Sequence, residues 1–308
     1  MDHLVAINQF LAHRRGRNRS IRTIEQYHYQ LIELWHAWIV HHADSLDQIT
    51  LDHLLAYFDY LRHGRKNHRT GGIGLSAETI GGAWRTLRAF WRYCRRRNWI
   101  TEQQALWFSD DELLPRPHVP QRIRPVLTDD ALHDLLCACG QLDTAEQRYR
   151  EHAIILLLAQ SGMRIGELVS MRDSAMRLDD RATIIISKGG REDWAFWGSE
   201  ADSAIRRYTR HRGHQGDGSV WLRLSGAPMT VSDVRKAIRH VADLAGITLP
   251  VGATVHCFRH RYAHKALDSG LDISQVSQLM RHRDIDTTLR YLREHKDRLK
   301  ALHDRVRA

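Results

Sequence analysis

Residues 145–168 read AEQRYREHAIILLLAQSGMRIGEL, and the fold of the second half of the chain turns on them. From 145 to 160 the pattern is that of a strongly apolar helix, with IILLLA at 154–159 leaving no polar face, so the helix must be buried. Gly162 is placed to stop it, because glycine enters the left-handed conformation without a Cβ penalty. Arg164 then precedes a further turn of helix and projects from a junction. Glu167 lies three residues on, on the same face, where a carboxylate can hold the guanidinium.

Around this helix the sequence predicts a mainly α domain with one small antiparallel sheet. Thr128 caps a preceding helix. Residues 176–180 and 182–187 read as strand, turn, strand, SKGGRED at 187–193 as the next turn, and 194–197 as a third strand. Residues 220–224 have a short-strand look, and the rest is helical.

Four of the six prolines fall in PRPHVPQRIRP at 115–125. Proline removes backbone donors and disfavours helix at the residue before it, so this basic stretch reads as an extended linker. It divides a helical domain over 1–114 from a larger domain over 126–308. In the first domain, helices are expected over 4–14, then from the Ser20 cap to about 41, from the Thr50 cap onward, and from the Ser76 cap to 97. Ile24, Leu31, Trp35, Leu54, Phe58, Leu87, Phe90, Trp91 and Cys94 fall at helical spacing and form its core. HGRKNHRTGGIG at 63–74 reads as a loop with backbone freedom.

A net charge of +10, from 46 basic against 36 acidic residues, points to a polyanionic partner. Arginines gather at 14–19 and again at Arg85, Arg88, Arg92, Arg95, Arg96 and Arg97. A charge run is ordinarily a solvated face, but runs this poor in acids favour phosphate contact. The four cysteines make no CxxC pair and no disulfide frame, which fits a reducing compartment. There is no secretion signal and no apolar run long enough to span a bilayer. A soluble cytoplasmic protein is expected. His133, Cys137 and Cys139 are the densest metal candidates among 21 histidines and four cysteines. They lie in an amphipathic helix and lack a second ligand pair at finger spacing, so no metal site is assigned.

The chemistry-bearing residues run through the second half: Arg164 in SGMRIGEL, His256 and Arg259 in HCFRHRYAH, His282 in LMRHRDIDTTLRY, and Tyr291 closing that segment. Arginine forks match phosphate oxygens and stay charged, imidazoles move protons near neutrality, and a phenol among cations becomes a usable nucleophile. His256 and Arg259 share a face at i, i+3, with Phe258 and Tyr262 turned to the core. His260 and His264 stand close by. Lys188 sits at the glycine-rich turn.

In order and spacing, these segments resemble the boxes of the tyrosine recombinases, the group that holds phage integrases and Xer-type recombinases. SGMRIGEL resembles the first arginine box and HCFRHRYAH the His-x-x-Arg box. MRHRDIDTTLRY resembles the final His box, with the tyrosine nine residues after the histidine. The resemblance implies a helical core-binding domain joined to an α+β catalytic domain, clamping double-stranded DNA recombination sites. It implies Tyr291 as the nucleophile forming a 3′-phosphotyrosyl link, with Arg164 and Arg259 clamping the phosphate. His256 and His282 would bond the phosphate or move protons, and Lys188 would protonate the leaving 5′ oxygen. No cofactor is implied, neither metal nor ATP. A homotetramer on two sites is implied in synapsis, the free protein being a monomer.

Two positions depart from the family pattern. After Lys188 an apolar–proline pair is usual, and here Arg191-Glu-Asp-Trp follows. Before the last histidine a glycine is common, and here stands Arg281, which would crowd the site or add a phosphate contact. A type IB topoisomerase would use the same residues, but the short two-domain chain disfavours it. A non-catalytic DNA-binding regulator would have lost a chemical residue. Finally, Leu299, Leu302 and Val306 make one apolar stripe on the terminal segment, which must find a groove in its own domain or a neighbour's.

Overall fold

Polar caps open most of the helices in the computed structural model, which describes residues 1–17, 20–68, 70–120, 126–187, 190–213, 218–249, 254–281 and 304. Asp2, Ser20, Thr50, Ser76, Thr128, Thr144, Thr230 and Asp272 each accept a bond from a first-turn backbone N–H. Each cap satisfies one of the donors that a helix start leaves without an intrahelical partner. The chain divides into two compact units, Met1–Arg122 and Ile123–Ala308.

The first unit is helical among its described residues. It runs α1 (His3–Gly16), α2 (Ile21–His28), a π-helical segment (Tyr29–His36), α3 (Ala37–Ile39), α4 (Leu51–His63), α5 (Ala77–Arg96) and α6 (Glu102–Leu106). The one long helix expected from Ser20 is thus three segments, with π turns in the middle. Gln30, on the π segment, is buried and accepts a hydrogen bond from the Thr86 hydroxyl of α5. A Cβ on Gly82 would stand 2.6 Å from Gln30 Nε2, so the glycine makes room for that amide. Phe10, Leu31, Trp35, Tyr57, Phe90 and Trp91 fill the centre, Trp35 meeting Tyr57 edge-on with ring centroids 4.9 Å apart.

On α5, Leu87, Phe90, Trp91 and Cys94 point inward, while Arg85, Arg92, Arg95 and Arg96 are exposed. Arg88 is half-buried, its guanidinium 5.2 Å from the centroid of the Trp84 ring. The stretch after α4 differs from the free loop expected there. Lys66 bridges Ile73, and Asn67 N–H donates to Gly72 O at 2.8 Å, so backbone bonds close it into a small hairpin.

The second unit contains α7 (Asp129–Ala138), α8 (Ala145–Ser161), α9 (Ile165–Val169), α10 (Ser199–Arg212), α11 (Val231–Leu244), α12 (His256–Asp268) and α13 (Ile273–Leu279). α8 runs through its centre, with 153–159 essentially inaccessible to water. Burying each such large aliphatic side chain stabilises the fold by about 1.5–3 kcal/mol relative to exposure. β1 (Met176–Arg177), β2 (Ala182–Ile186) and β3 (Glu192–Phe196) form an antiparallel sheet in that order. β3 starts two residues before the expected strand because Glu192 pairs with Ile186. Residues 220–224 form no strand of their own. Single bridges, Arg172 with Ser219 and Leu222 with Pro228, hold that stretch instead.

All four cysteines are free thiols. Cys94, Cys139 and Cys257 are buried and Cys137 is exposed. Among the described residues, no helix is long and apolar enough to cross a membrane.

Candidate active site

α8 ends at Gly162, whose φ of 59° and ψ of 19° put it in the left-handed region. Two residues later Arg164 caps α9 from an extended backbone, φ −76° and ψ 148°. The turn leaves its side chain about a third exposed, beside an almost fully buried Glu167. Glu167 holds the arginine at both ends. Its Oε2 accepts from Arg164 N–H at 2.9 Å, and its Oε1 accepts from Arg164 Nη1 at 2.6 Å. A charge-assisted pair of this length, with one partner buried, fixes the orientation of the guanidinium.

α12 supplies the second arginine. Arg259 is only 4% exposed, and it donates from Nη1 to Gly162 O and from Nη2 to Met280 O. Arg164 Nη2 donates to Arg281 O at 3.4 Å. Two guanidinium groups that are far apart in sequence therefore reach neighbouring carbonyls at the end of α13. His256, three residues before Arg259, is the first residue of α12 and is exposed, whereas His260 and His264 are buried. Phe258 is fully buried, as its place in the pattern requires. α12 is tied to α7 by Asp129, which accepts from Arg261 Nη2 and from Lys265 Nζ, each at 2.6 Å.

Tyr262 packs against Gly162, and burial pushes its phenol up from the ordinary value, against the pull of Arg281 and Arg259. Such a phenol holds its proton more tightly than a free one and is ill suited to nucleophilic attack. The Cys257 thiol is likewise pushed up by burial, to about 11. It is not a thiolate at neutral pH.

Arg281 is the residue expected either to crowd the site or to add a phosphate contact. Its backbone is left-handed, φ 55°, and its side chain is turned inward and 5% exposed. Nη2 donates to Glu167 Oε2 at 3.3 Å and Nη1 to Leu279 O at 2.8 Å. Burial lowers its pKa, and the Glu167 carboxylate opposes that shift. Neither this contact nor the use of the Gly162 carbonyl as an acceptor for Arg259 was readable from the motifs. The one signal was an arginine standing where glycine is common.

Lys188, His282 and Tyr291 lie outside the described residues, as do Leu299, Leu302 and Val306. On either side of Lys188, Ser187 N–H donates to Arg191 O at 2.8 Å and Gly190 N–H donates to Ser187 O at 3.0 Å. Arg191, at the departure from the family pattern, is occupied by Asp193, with Nη2 to Oδ2 at 3.0 Å. On α7, His133 Nε2 stands 3.4 Å from Cys137 Sγ, while the Cys139 thiol points to Leu135 O, so the three do not converge. Among the described residues, no group of three or more His, Cys, Asp or Glu is arranged to hold a metal ion.

The phage integrase family model matches residues 125–298. Among curated proteins, tyrosine recombinase XerC of Bacillus pumilus is 28% identical over 235 residues, covering 74% of each chain. Tyrosine recombinase XerD of Ralstonia nicotianae is 28% identical over 211 residues, covering 67% of each. Among solved structures, the Tn1549 transposon integrase in complex with transposon right end DNA superposes with a TM-score of 0.75 at 18% identity over the whole of both chains. XerH site-specific recombinase bound to palindromic difH substrate gives 0.73 at 18% identity, over 94% of this chain and 81% of that one. With its family match spanning more than half of the sequence, the chain belongs to the phage integrase family, the tyrosine recombinases.

Proposed function

We propose that this protein is a site-specific DNA recombinase that cuts and rejoins duplex DNA through a covalent tyrosyl intermediate. The supporting observation is the convergence of Arg164 and Arg259 on the carbonyls of Met280 and Arg281, the two residues that precede His282 in the sequence. Two forks held this way can grip the non-bridging oxygens of one phosphate and stabilise the charge that builds up as it is attacked. Relatives of the same fold were solved with their own recombination or transposon DNA, which supports duplex DNA as the partner.

In this reading the Tyr291 oxygen bonds to phosphorus, and the bond from phosphorus to the 5′ oxygen breaks. Lys188 gives its proton to the leaving oxygen, and the imidazoles of His256 and His282 bond the phosphate or take up the phenolic proton. The energy of the phosphodiester is kept in the phosphotyrosyl link. The reaction then needs neither ATP nor a divalent metal, and the 5′ hydroxyl of a second strand reverses it. Exchange between two duplexes would use four protomers, and the work would be done in the cytoplasm. We also infer that residues 1–114 and 126–308 are the two halves of a DNA clamp joined through 115–125.

The test is Tyr291→Phe, assayed on duplex DNA recovered as covalent adducts of the parent protein. The variant should bind that site with parental affinity and form no detergent-stable adduct, and the parent should work in excess EDTA. An adduct with the Phe variant would overturn the nucleophile, and a metal requirement would overturn the chemistry.

A further inference from the structure

Arg281 carries two unfavourable features at once. It is a non-glycine residue in the left-handed region, and its guanidinium is buried. A glycine would avoid both, so an arginine here calls for a compensating role. Its surroundings supply one. Glu167 Oε2 is shared between Arg164 N–H at 2.9 Å and Arg281 Nη2 at 3.3 Å, while Oε1 is engaged by Arg164 Nη1 at 2.6 Å. The pieces lie in layers. Arg281 and Glu167 are each about 4–5% exposed, and Arg164 is the outer, more accessible partner.

We propose that Arg281 is a positioning residue for strand cleavage, acting through Glu167 to hold the Arg164 fork in place for the scissile phosphate. The inference rests on the recombinase reading above. Two effects work in the same direction. Arg281 pins one oxygen of the carboxylate, so the other stays aimed at Arg164. The carboxylate is also shared between two cations, so it does not neutralise Arg164, which keeps charge to spend on the phosphate. Direct contact of Arg281 with DNA is the competing account, and it predicts weakened binding with an unchanged saturated cleavage rate.

The experiment separates binding from cleavage, using single-turnover cutting at saturating concentrations of the adduct-derived duplex. Arg281→Gly, which suits the left-handed backbone, should keep parental affinity and lose about 10- to 100-fold in saturated cleavage rate, the scale of a small misplacement of a reacting group. Arg281→Lys, which keeps the charge, should recover part of that loss. In a Glu167→Gln background, Arg281→Gly should add little. If Arg281→Gly does not fold, Arg281→Asn, which also tolerates this backbone, takes its place. Parental cleavage by the Gly or Asn variant overturns the proposal. So does weakened binding with an unchanged saturated rate, and so do losses at 281 and 167 that simply multiply. If Arg164→Lys also cleaves like the parent, it is the recombinase reading that fails.

Discussion

A Cβ built on Gly162 would stand 2.5 Å from Cδ1 of Tyr262, so the phenol ring is seated on bare backbone at the end of α8. The same glycine offers its carbonyl to Arg259. Gly162→Ala must therefore pay for a left-handed alanine, about 1–2 kcal/mol, and move a packed ring, roughly 1–3 kcal/mol. A fall in Tm of several degrees is expected by calorimetry, at about 2–4 °C per kcal/mol for a unit of this size. An unchanged Tm would mean that the ring does not rest there.

Geometry and charge can be separated at the two arginines. Arg164→Lys and Arg259→Lys keep the charge and lose the planar fork, so cleavage should fall by roughly 100- to 1,000-fold while DNA affinity changes little. Filter binding and single-turnover cleavage on the same duplex measure the two quantities. Parallel losses of both would make these residues ordinary DNA contacts.

The exposed face of α5 makes a prediction about salt. Each phosphate contact contributes about 0.9 to the slope of log affinity against log salt, so replacing Arg85, Arg92, Arg95 and Arg96 by Ala should flatten it by up to about 3.6. Arg88, which is half-buried over Trp84, should contribute less to this slope and more to stability. A slope that stays put would leave α5 with a solvated face and nothing more. Arg95 also bonds Glu102 at 3.3 Å, an exposed pair worth little by itself.

Asp129 gives a pH test. Hydrogen bonds from Lys265 and then Arg261 hold its carboxyl below the usual value, so the folded state binds fewer protons than the unfolded chain in mild acid. Its contribution is complete above the ordinary carboxylate pKa and fades as the pH falls through the lowered one. Asp129→Asn should therefore destabilise by about 0.5 kcal/mol near neutrality, screening having reduced the effect of so exposed a pair. The difference from the parent should vanish in acid. Denaturant titrations across the acid range test it, and a gap that widened on acidification would reverse the sign.

Much of the fold was legible because its signals are local. Thr50, Ser76 and Thr128 cap with their own hydroxyls, and Gly162 stops α8 by its own backbone, so no distant partner is needed. The Arg164–Glu167 pair was legible for the same reason, being three residues apart across a helix start. What stayed hidden depends on contacts made across the chain. The π turns go with Gln30 meeting Thr86 and Gly82, and the first residue of β3 is set by Ile186 across the ladder. The hairpin at 65–74 closes through backbone bonds that its glycine-rich composition disguised as freedom. The inward turn of Arg281 was hidden because its acceptor, Glu167, lies 114 residues away in the chain.

The placement of the cysteines has a practical consequence. Burial pushes the Cys94 thiol up, the Cys139 thiol to about 12 and the Cys257 thiol to about 11, so these three stay protonated and shielded from solvent. Cys137 alone of the four faces water, with His133 against its sulfur. The natural sequence therefore already carries a single reporter position. A maleimide dye would attach on α7 without prior mutagenesis, and energy transfer between protein labelled in two colours would report whether more than one copy assembles on one DNA.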